Sequence, residues 1–222
     1  MSMFDSLAYR FSQQNRKKKL QLFFATMHPE SGDTILDVGV NTIEYSASDN
    51  YLEKQYPYPE QITAVGLDNS KEFSLHYPRV RIIQANGTNL PFKNNQFRIG
   101  YSNAVLEHVG DKDKQVAFIK ELHRVSQKGY LAIPYKYFPV EIHTRIPLLH
   151  LLLPKHWFDR VASMVGKHWA ARDYMRFIGE QEFRLLLKEA GVNTFVIHKQ
   201  RLFGFTVTLV ATWHKDNSAT IH

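Results

Sequence analysis

Two acidic side chains lie at the ends of short apolar runs, where a parallel sheet would bring them to one edge. Asp37 and Gly39 end the run that begins at Thr34, and Asp68 follows the run 61–67. Open α/β sheets bind ligands in the crevice outside the carboxyl ends of their strands. A carboxylate there accepts hydrogen bonds from both hydroxyls of a ribose, so the pair favours a nucleoside site. The alternative is that each aspartate caps the following helix.

The elements that must position these acids are short apolar runs that alternate with helical segments. This alternation predicts a parallel sheet covered on both faces. Helical spacing is clearest from Val116 to Val125, with Gly129 as the expected end signal. A later helix over 180–190 is expected to end at Gly191, before two β-rich runs that are close enough to pair antiparallel. The predicted strands are 34–38, 61–67, 80–84, 97–102 and 129–133, followed by the two runs at 194–198 and 205–213.

The two flanking segments differ from this pattern. Residues 1–30 are predicted to form a helical extension, in which the basic run Arg16–Lys19 is expected to be a solvated helix face. The remaining domain, 31–222, contains a segment at 134–178 that is rich in aromatic residues, prolines and histidines. A long segment of this kind is usually a lid or binding region, so we expect a substrate-side insertion.

Composition limits the class of protein. The chain has 222 residues, of which 44% are hydrophobic and 22% charged, as in globular proteins. It has no cysteine, no secretory leader pattern and no apolar run of membrane-spanning length, so we expect a cytoplasmic location without a transmembrane segment. The net charge of +7 lies mainly in the flanks. It is ordinary solubility charge or, less favoured, a surface for nucleic acid or a membrane.

Four motifs in order connect these observations to a known family. LDVG, AVGLD, QANGTNLPF and YSNAVLEHV occur within residues 33–135. In order and spacing they resemble the class I S-adenosylmethionine-dependent methyltransferases, and most closely the type 11 methyltransferase domain. The resemblance implies a doubly wound, mostly parallel, seven-stranded Rossmann-like sheet. It also implies S-adenosylmethionine as the cofactor.

The resemblance assigns each matched position to a part of that cofactor. The first motif would lie along the methionine part, and the acid after the second strand would hold the ribose. The loop after the third strand would flank the adenine, and the end of the fourth strand would lie beside the methyl donor. In that order, the residues are Asp37 and Gly39, Asp68, Asn86 and Gly87, and Ser102 and Asn103.

The first motif departs from the family pattern Asp-x-Gly-x-Gly-x-Gly. Asn41 and Ile43 replace the second and third glycines. Asparagine is the best substitute for a glycine in a left-handed turn, so Asn41 is expected to contribute to the site, whereas the bulky Ile43 must point away. Loss of the glycines could also mark a catalytically degenerate binding protein. The polar segment 48–53 either fills the site or begins a helix capped by Ser48.

Methyl transfer to oxygen or nitrogen requires loss of a proton, and a histidine of near-neutral pKa can accept it. His143 in the insertion is the first candidate base and His108 the second, and the alternative for each is a purely structural role. The histidine spacing gives no metal-site pattern. The resemblance implies a methyltransferase that acts on a small or glycan-type acceptor, with O-methylation as the favoured reaction. An RNA-directed enzyme is a further alternative, and the oligomeric state stays open.

Overall fold

The computed structural model describes residues 3–44, 49–68, 70–138, 176–202 and 204–215. Within these residues the chain forms a sheet of seven strands. The strands are β1 (Ile35–Val38), β2 (Ile62–Gly66), β3 (Arg81–Gln84), β4 (Phe97–Asn103), β5 (Ser126–Pro134), β6 (Val196–Leu202) and β7 (Phe205–His214).

The strand order in the sheet is β3-β2-β1-β4-β5-β7-β6. The first five strands pair in parallel, and β7 pairs antiparallel with both β5 and β6. The predicted doubly wound, mostly parallel sheet is therefore confirmed. The winding reverses between β1 and β4, and such a reversal opens a crevice at the carboxyl ends of the two strands.

Helices connect β1 to β2, β2 to β3 and β4 to β5, as the alternating pattern predicts, whereas residues 85–96 join β3 to β4 without a helix. The N-terminal segment forms a single helix within the described residues. Two short 3₁₀ turns lie before β2 and after β4. The helices are α1 (Met3–Met27), α2 (Tyr51–Gln55), α3 (Lys71–His76), α4 (Lys112–Val125) and α5 (Glu180–Glu189), and the 3₁₀ turns are Pro59–Gln61 and Leu106–His108.

The junction between α4 and β5 differs from the sequence prediction. Gly129 does not end the helix, because β5 already begins at Ser126. The Ser126 hydroxyl instead donates a hydrogen bond to the Leu122 carbonyl oxygen at 2.5 Å, which ties the first strand residue to the last helical turn. Gly129 makes room for the ring of Trp213 on β7, since a Cβ at Gly129 would lie 2.0 Å from that ring. By contrast, Gly191 ends α5 with φ +86°, as predicted.

Successive side chains along each strand point to opposite faces of the sheet, so the core has a part on each face. Leu36 and Val38 of β1 pack into the cluster with α4 and α5. Ile35 packs into the cluster on the opposite face, with α1, α2 and α3. Because successive side chains in a strand point to opposite faces, Asp37 shares the face of Ile35. The first strand therefore directs its carboxyl group toward α1 and α2.

Helix α1 is held on this face by aromatic packing. The Phe23 ring meets Tyr101 and Tyr130 edge-on, at centroid distances of 5.3 and 5.5 Å. The Tyr130 hydroxyl donates a hydrogen bond to the Lys19 carbonyl oxygen at 2.8 Å. These contacts fix the C-terminal half of α1 across β4 and β5, beside the crevice.

Most of the predicted insertion, residues 139–175, lies outside the described residues. The two ends of the insertion meet, because Tyr135 forms a parallel bridge with Ile178 beside β5. Among the helices that the structure describes, none has the length and apolar character needed to cross a bilayer.

The packing of Gly129 against Trp213 predicts a stability effect. Gly129→Ala should lower the free energy of unfolding by about 1–3 kcal/mol, because the buried indole cannot move aside for a methyl group. Urea denaturation measures the change. Gly32→Ala is the control, since nothing lies within 4 Å of a Cβ there. If Gly129→Ala were as stable as this control, the close packing would be refuted.

Candidate functional site

A cavity of about 300 Å³ lies at the carboxyl ends of β1 and β4, where the winding of the sheet reverses. Its walls come from α1, the loop after β1, the start of α2, the end of β4 and the turn that follows β4. The lining residues are Arg16, Asp37, Gly39, Val40, Asn41, Asp49, Asn50, Tyr51, Leu52, Tyr101, Asn103, Ala104 and His108.

Gly39 makes the turn at the end of β1. Its φ is +100°, a conformation that side chains disfavour. A Cβ there would lie 2.3 Å from a methyl carbon of Val105. Its backbone N–H donates to the Val65 carbonyl oxygen at 2.8 Å. Only glycine therefore fits between β2 and the loop after β4. The same residue borders the cavity.

Asn50 fixes the backbone of the loop at Asn41, where the family pattern has a glycine. Its Oδ1 accepts from the Asn41 backbone N–H at 3.0 Å, and its Nδ2 donates to the Asn41 carbonyl oxygen at 2.9 Å. Asn50 also carries the left-handed conformation, with φ +47°. The expectation that Asn41 would adopt the left-handed turn is therefore wrong. Ile43 is 46% exposed, as its expected orientation away from the ligand requires.

The polar segment after this loop contributes directly to the cavity wall. Asp49 and Asn50 line the cavity together with the first residues of α2. Lys54 braces the segment, because its Nζ donates to the Asp49 carbonyl oxygen at 2.9 Å and to Glu44 Oε2 at 3.0 Å. Both interpretations left open therefore hold in part, because the segment lines the cavity and also begins a helix, with Asn50 directly before α2. Ser48, the proposed cap, lies outside the described residues.

Asp37 and Glu53 form a buried carboxyl pair beside the cavity. Asp37 is 7% exposed and Glu53 is 4% exposed. Burial raises the pKa of Asp37 well above its usual range, and the neighbouring charge of Glu53 raises it further. Burial also raises the pKa of Glu53. Two carboxyl groups this close favour a shared proton over two negative charges.

Sequence reasoning did not assign a function to Glu53. The available signal was its place in a helical turn with Leu52 and Tyr56, both of which are buried. An acid in such a turn is directed into the protein, where it needs a partner. The partner, Asp37, lies on a different element, so the sequence alone could not pair the two.

The basic run on α1 is divided between solvent and site, so the expectation of a solvated helix face is wrong for two of its members. Lys17 and Lys18 are exposed, whereas Arg16 lines the cavity and Lys19 is 7% exposed. Residues three apart share a helix face. The signal was the continuation of this stripe into Phe23, which is buried.

Arg16 and Lys19 meet different partners at the cavity. An Arg16 guanidinium nitrogen lies 3.8 Å from Asp49 Oδ1. Lys19 Nζ donates to Asn103 Oδ1 at 2.6 Å. Burial lowers the pKa of Lys19 to about 7, and repulsion by Arg16 adds to the shift, whereas attraction by Glu107 opposes it.

The residues assigned to the ribose and adenine lie outside the cavity, on the same edge of the sheet. Asp68 is exposed just after β2. Asn86 is exposed after β3, and its Oδ1 accepts from the Thr88 backbone N–H at 3.0 Å. Gly87 lies against Phe118, whose ring would be 2.5 Å from a Cβ at this position. Because β3, β2 and β1 are adjacent, these residues extend the crevice sideways from the cavity.

The end of β4 places its two assigned residues differently. Ser102 is fully buried, and its hydroxyl donates to the Val38 carbonyl oxygen at 2.8 Å. It thus holds β4 against β1 behind the cavity, whereas Asn103 lines the cavity itself.

Of the two candidate bases, only His108 can be placed. It lines the cavity with a side chain that is 46% exposed, and its Nε2 lies 3.9 Å from Glu107 Oε1. His143 falls outside the described residues. The described histidines, aspartates and glutamates form no cluster of three that could hold a metal ion.

This sheet order, with a cavity at its point of reversal, defines a Rossmann-like α/β protein. Residues 36–133 match a family described as a methyltransferase domain. The predicted resemblance to this family is therefore confirmed over these residues. No curated protein sequence matches the chain.

Solved structures agree with this fold. A S-adenosylmethionine-dependent methyltransferase from Aquifex aeolicus is 17% identical, with a TM-score of 0.53 over 89% of this chain and 87% of its own. A possible histamine N-methyltransferase from Thermotoga maritima is 16% identical, with a TM-score of 0.58 over 95% of this chain and 92% of its own. Magnesium protoporphyrin IX methyltransferase from Synechocystis PCC 6803, with bound S-adenosylhomocysteine, is 13% identical. Its TM-score is 0.57 over 96% of this chain and 88% of its own. At such identities the likeness shows the shared fold.

The Asn50 bridge predicts a linked loss of stability and ligand binding. Asn50→Gly keeps the left-handed backbone but removes both hydrogen bonds to Asn41, so we expect a loss of about 1–2 kcal/mol in the free energy of unfolding. Binding of S-adenosylhomocysteine should weaken about tenfold, as measured by calorimetry. The control is Asn95→Gly, another left-handed asparagine, with φ +52°. Equal effects of the two substitutions would contradict the bridging role.

The carboxyl pair predicts a pH-dependent stability difference. The folded-state pKa of Glu53 is raised above its usual value of 4.5, so its contribution to stability is present below that value and is lost as pH rises through the folded pKa. Glu53→Gln should therefore gain stability relative to the unsubstituted protein as pH increases from 4 to 8. Urea denaturation at several pH values measures this gain. Glu60→Gln, at an exposed carboxylate, should show no such trend.

Proposed function

We propose that the chain is a S-adenosylmethionine-dependent methyltransferase and that its cavity receives the methionine end of the cofactor. The observation that carries this proposal is the position of the cavity, at the carboxyl ends of β1 and β4 where the winding reverses. Ligands of open α/β sheets bind at this point. The cavity volume of about 300 Å³ lies at the lower end of the range for small-molecule sites.

The chemistry of the walls fits the charges of that cofactor. Its methionine end carries a sulfonium and an ammonium group, both positive, and a negative carboxylate. The buried pair Asp37 and Glu53 suits the positive groups, because a nearby cation offsets the repulsion between two carboxylates. Arg16 suits the carboxylate, with which guanidinium pairs well. Gly39 allows close approach of the backbone.

The remaining assigned residues continue this site along the sheet edge. Asp68 would accept hydrogen bonds from the ribose hydroxyls, and Asn86 and Gly87 would flank the adenine. The exposure of Asp68 after β2 and of Asn86 after β3 suits a ligand that lies across the crevice with one end in the cavity. Asn41 would support the site through its backbone, which Asn50 fixes.

The bound cofactor supplies a methyl group that is already activated by the positive sulfur. The protein then has to hold the acceptor in line and exclude water. Asn103 and His108 border the cavity at the end of β4 and after it, on the side where an acceptor would enter. We propose a small or glycan-type acceptor methylated on oxygen, with His108 or His143 available to take a proton where the nucleophile carries one.

The ribose assignment predicts the effect of one substitution on affinity. Asp68→Ala removes the acceptor of two charge-assisted hydrogen bonds, so S-adenosylhomocysteine should bind about 10- to 100-fold more weakly by calorimetry. Asp113→Ala, in the first turn of α4, is the control and should bind as the unsubstituted protein does. Unchanged affinity of Asp68→Ala would overturn the ribose assignment.

Incubation with methyl-labelled S-adenosylmethionine and fractionated cell extract tests the activity. Label in a small-molecule or glycan fraction supports the proposal. Label in RNA that is lost on nuclease treatment supports the RNA-directed alternative. Failure to bind the cofactor at millimolar concentration would favour a degenerate binding protein that keeps only the fold.

A further inference from the structure

The contact between Lys19 and Asn103 fixes which end of the Asn103 amide faces the cavity. A lysine side chain has hydrogen-bond donors and, when charged, no acceptor, so its partner must be an acceptor. Lys19 Nζ lies 2.6 Å from Asn103 Oδ1. The amide oxygen and nitrogen of asparagine point to opposite sides of one carbon. The Nδ2 amino group is therefore turned away from Lys19, and Asn103 lines the cavity.

Lys19 is itself held firmly enough to impose this orientation. Its side chain is buried, and its carbonyl oxygen accepts from the Tyr130 hydroxyl at 2.8 Å. Phe23, one turn further along α1, packs edge-on against both Tyr101 and Tyr130. A flip of the Asn103 amide would turn its amino group toward the lysine ammonium and break a partly buried hydrogen bond.

Two basic residues of α1, Arg16 and Lys19, lie on the same wall. Arg16 lines the cavity with Asp49, which lies 3.8 Å from its guanidinium group. Lys19 is paired with a neutral amide, and the repulsion it feels from Arg16 exceeds the attraction it feels from Glu107. Burial holds the pKa of Lys19 near 7, so a nearby anion would stabilise its charged form.

We propose that Lys19 is a positioning residue that presents the Nδ2 donor of Asn103 to the acceptor, and that the acceptor nucleophile is an anionic oxygen, as in a carboxylate. This inference rests on the proposed methyltransferase function and names its substrate class. An N–H donor aimed at the nucleophile favours an oxygen with lone pairs. It disfavours an ammonium group, which has only donors to offer.

The transfer step balances without a proton acceptor. The carboxylate oxygen forms a bond to the methyl carbon while the bond between that carbon and sulfur breaks, and its electron pair stays on sulfur. An anion and a sulfonium thus become a neutral ester and a neutral thioether. A carboxylate is already deprotonated at neutral pH, so neither His108 nor His143 is required as a base for this acceptor.

The test uses two probes of similar shape and opposite charge, benzoate and benzylamine, added to the full chain saturated with S-adenosylhomocysteine. Amide NMR spectra of ¹⁵N-labelled protein report on the Asn103 side chain, and the titrations give dissociation constants. We expect benzoate to bind at least about tenfold more tightly than benzylamine, with its largest shift at the Asn103 Nδ2 signals.

Matched variants separate orientation from general stability. Asn103→Asp keeps an acceptor for Lys19 but removes the donor, so the preference should reverse in favour of benzylamine. Lys19→Met frees the amide and should weaken benzoate binding about tenfold, whereas Lys19→Arg should restore most of it. Lys18→Met, at the exposed neighbour, should bind both probes as the unsubstituted protein does.

Three results would overturn the proposal, namely equal or tighter binding of benzylamine, no benzoate binding at 10 mM, or unchanged selectivity in Asn103→Asp. Each of these results is measured with S-adenosylhomocysteine already bound to the protein. Failure of S-adenosylhomocysteine to bind at all would instead refute the proposed function on which the inference rests.

Discussion

The burial of charge beneath α1 is the constraint on which the site depends. Ionisable groups lose hydration when they are buried, and the loss is tolerated only where partners or ligands compensate for it. Arg16 and Lys19 of α1 and the carboxyl groups of Asp37 and Glu53 all lie at one edge of the sheet. The aromatic contacts of Phe23 hold the helix in place over them. A surface lacking this cover would leave the groups hydrated and their pKa values near normal.

The loop after β1 shows how side-chain hydrogen bonds can fix a turn whose glycine motif is changed. Glycines normally supply the backbone freedom there, and only Gly39 is retained. Asn50, nine residues beyond Asn41, supplies two hydrogen bonds to its backbone and a left-handed residue of its own. The bridge also brings Asp49 and the start of α2 to the cavity. Replacement of motif glycines therefore does not by itself show that the site is degenerate.

The sequence predicts the parts of the fold that depend on local pattern. The strand positions, the end of α5 at Gly191 and the antiparallel last pair follow from apolar runs and turn residues, and the family follows from four motifs in order. The wrong prediction that Gly129 ends α4 has a clear cause. A glycine after a helical pattern has the same local appearance whether it ends the helix or admits a ring from a distant strand, here Trp213.

The contacts that build the site were less predictable because their partners are far apart in the chain. Lys19 meets Asn103 across 84 positions, and Glu53 meets Asp37 from a different element. No periodicity encodes such pairs. The burial of Lys19 was nevertheless indicated by the helix face that it shares with Phe23. A charged residue on an apolar helix face indicates that a partner from elsewhere in the chain compensates for its burial.

Under the proposed function, the donor and the acceptor contact different groups of the cavity, and this bears on the whole catalytic cycle. The positive sulfonium lies nearest the acids on β1 and α2, Arg16 pairs with the cofactor carboxylate, and the anionic acceptor lies nearest the Asn103 amide that Lys19 orients. Transfer neutralises the sulfonium and the acceptor anion at once. The attraction that acted on those two charges is then lost, whereas the ammonium and carboxylate of the cofactor keep theirs. The methylated acceptor therefore binds more weakly than the anion from which it forms, because the interactions that favoured the reacting charge vanish with that charge.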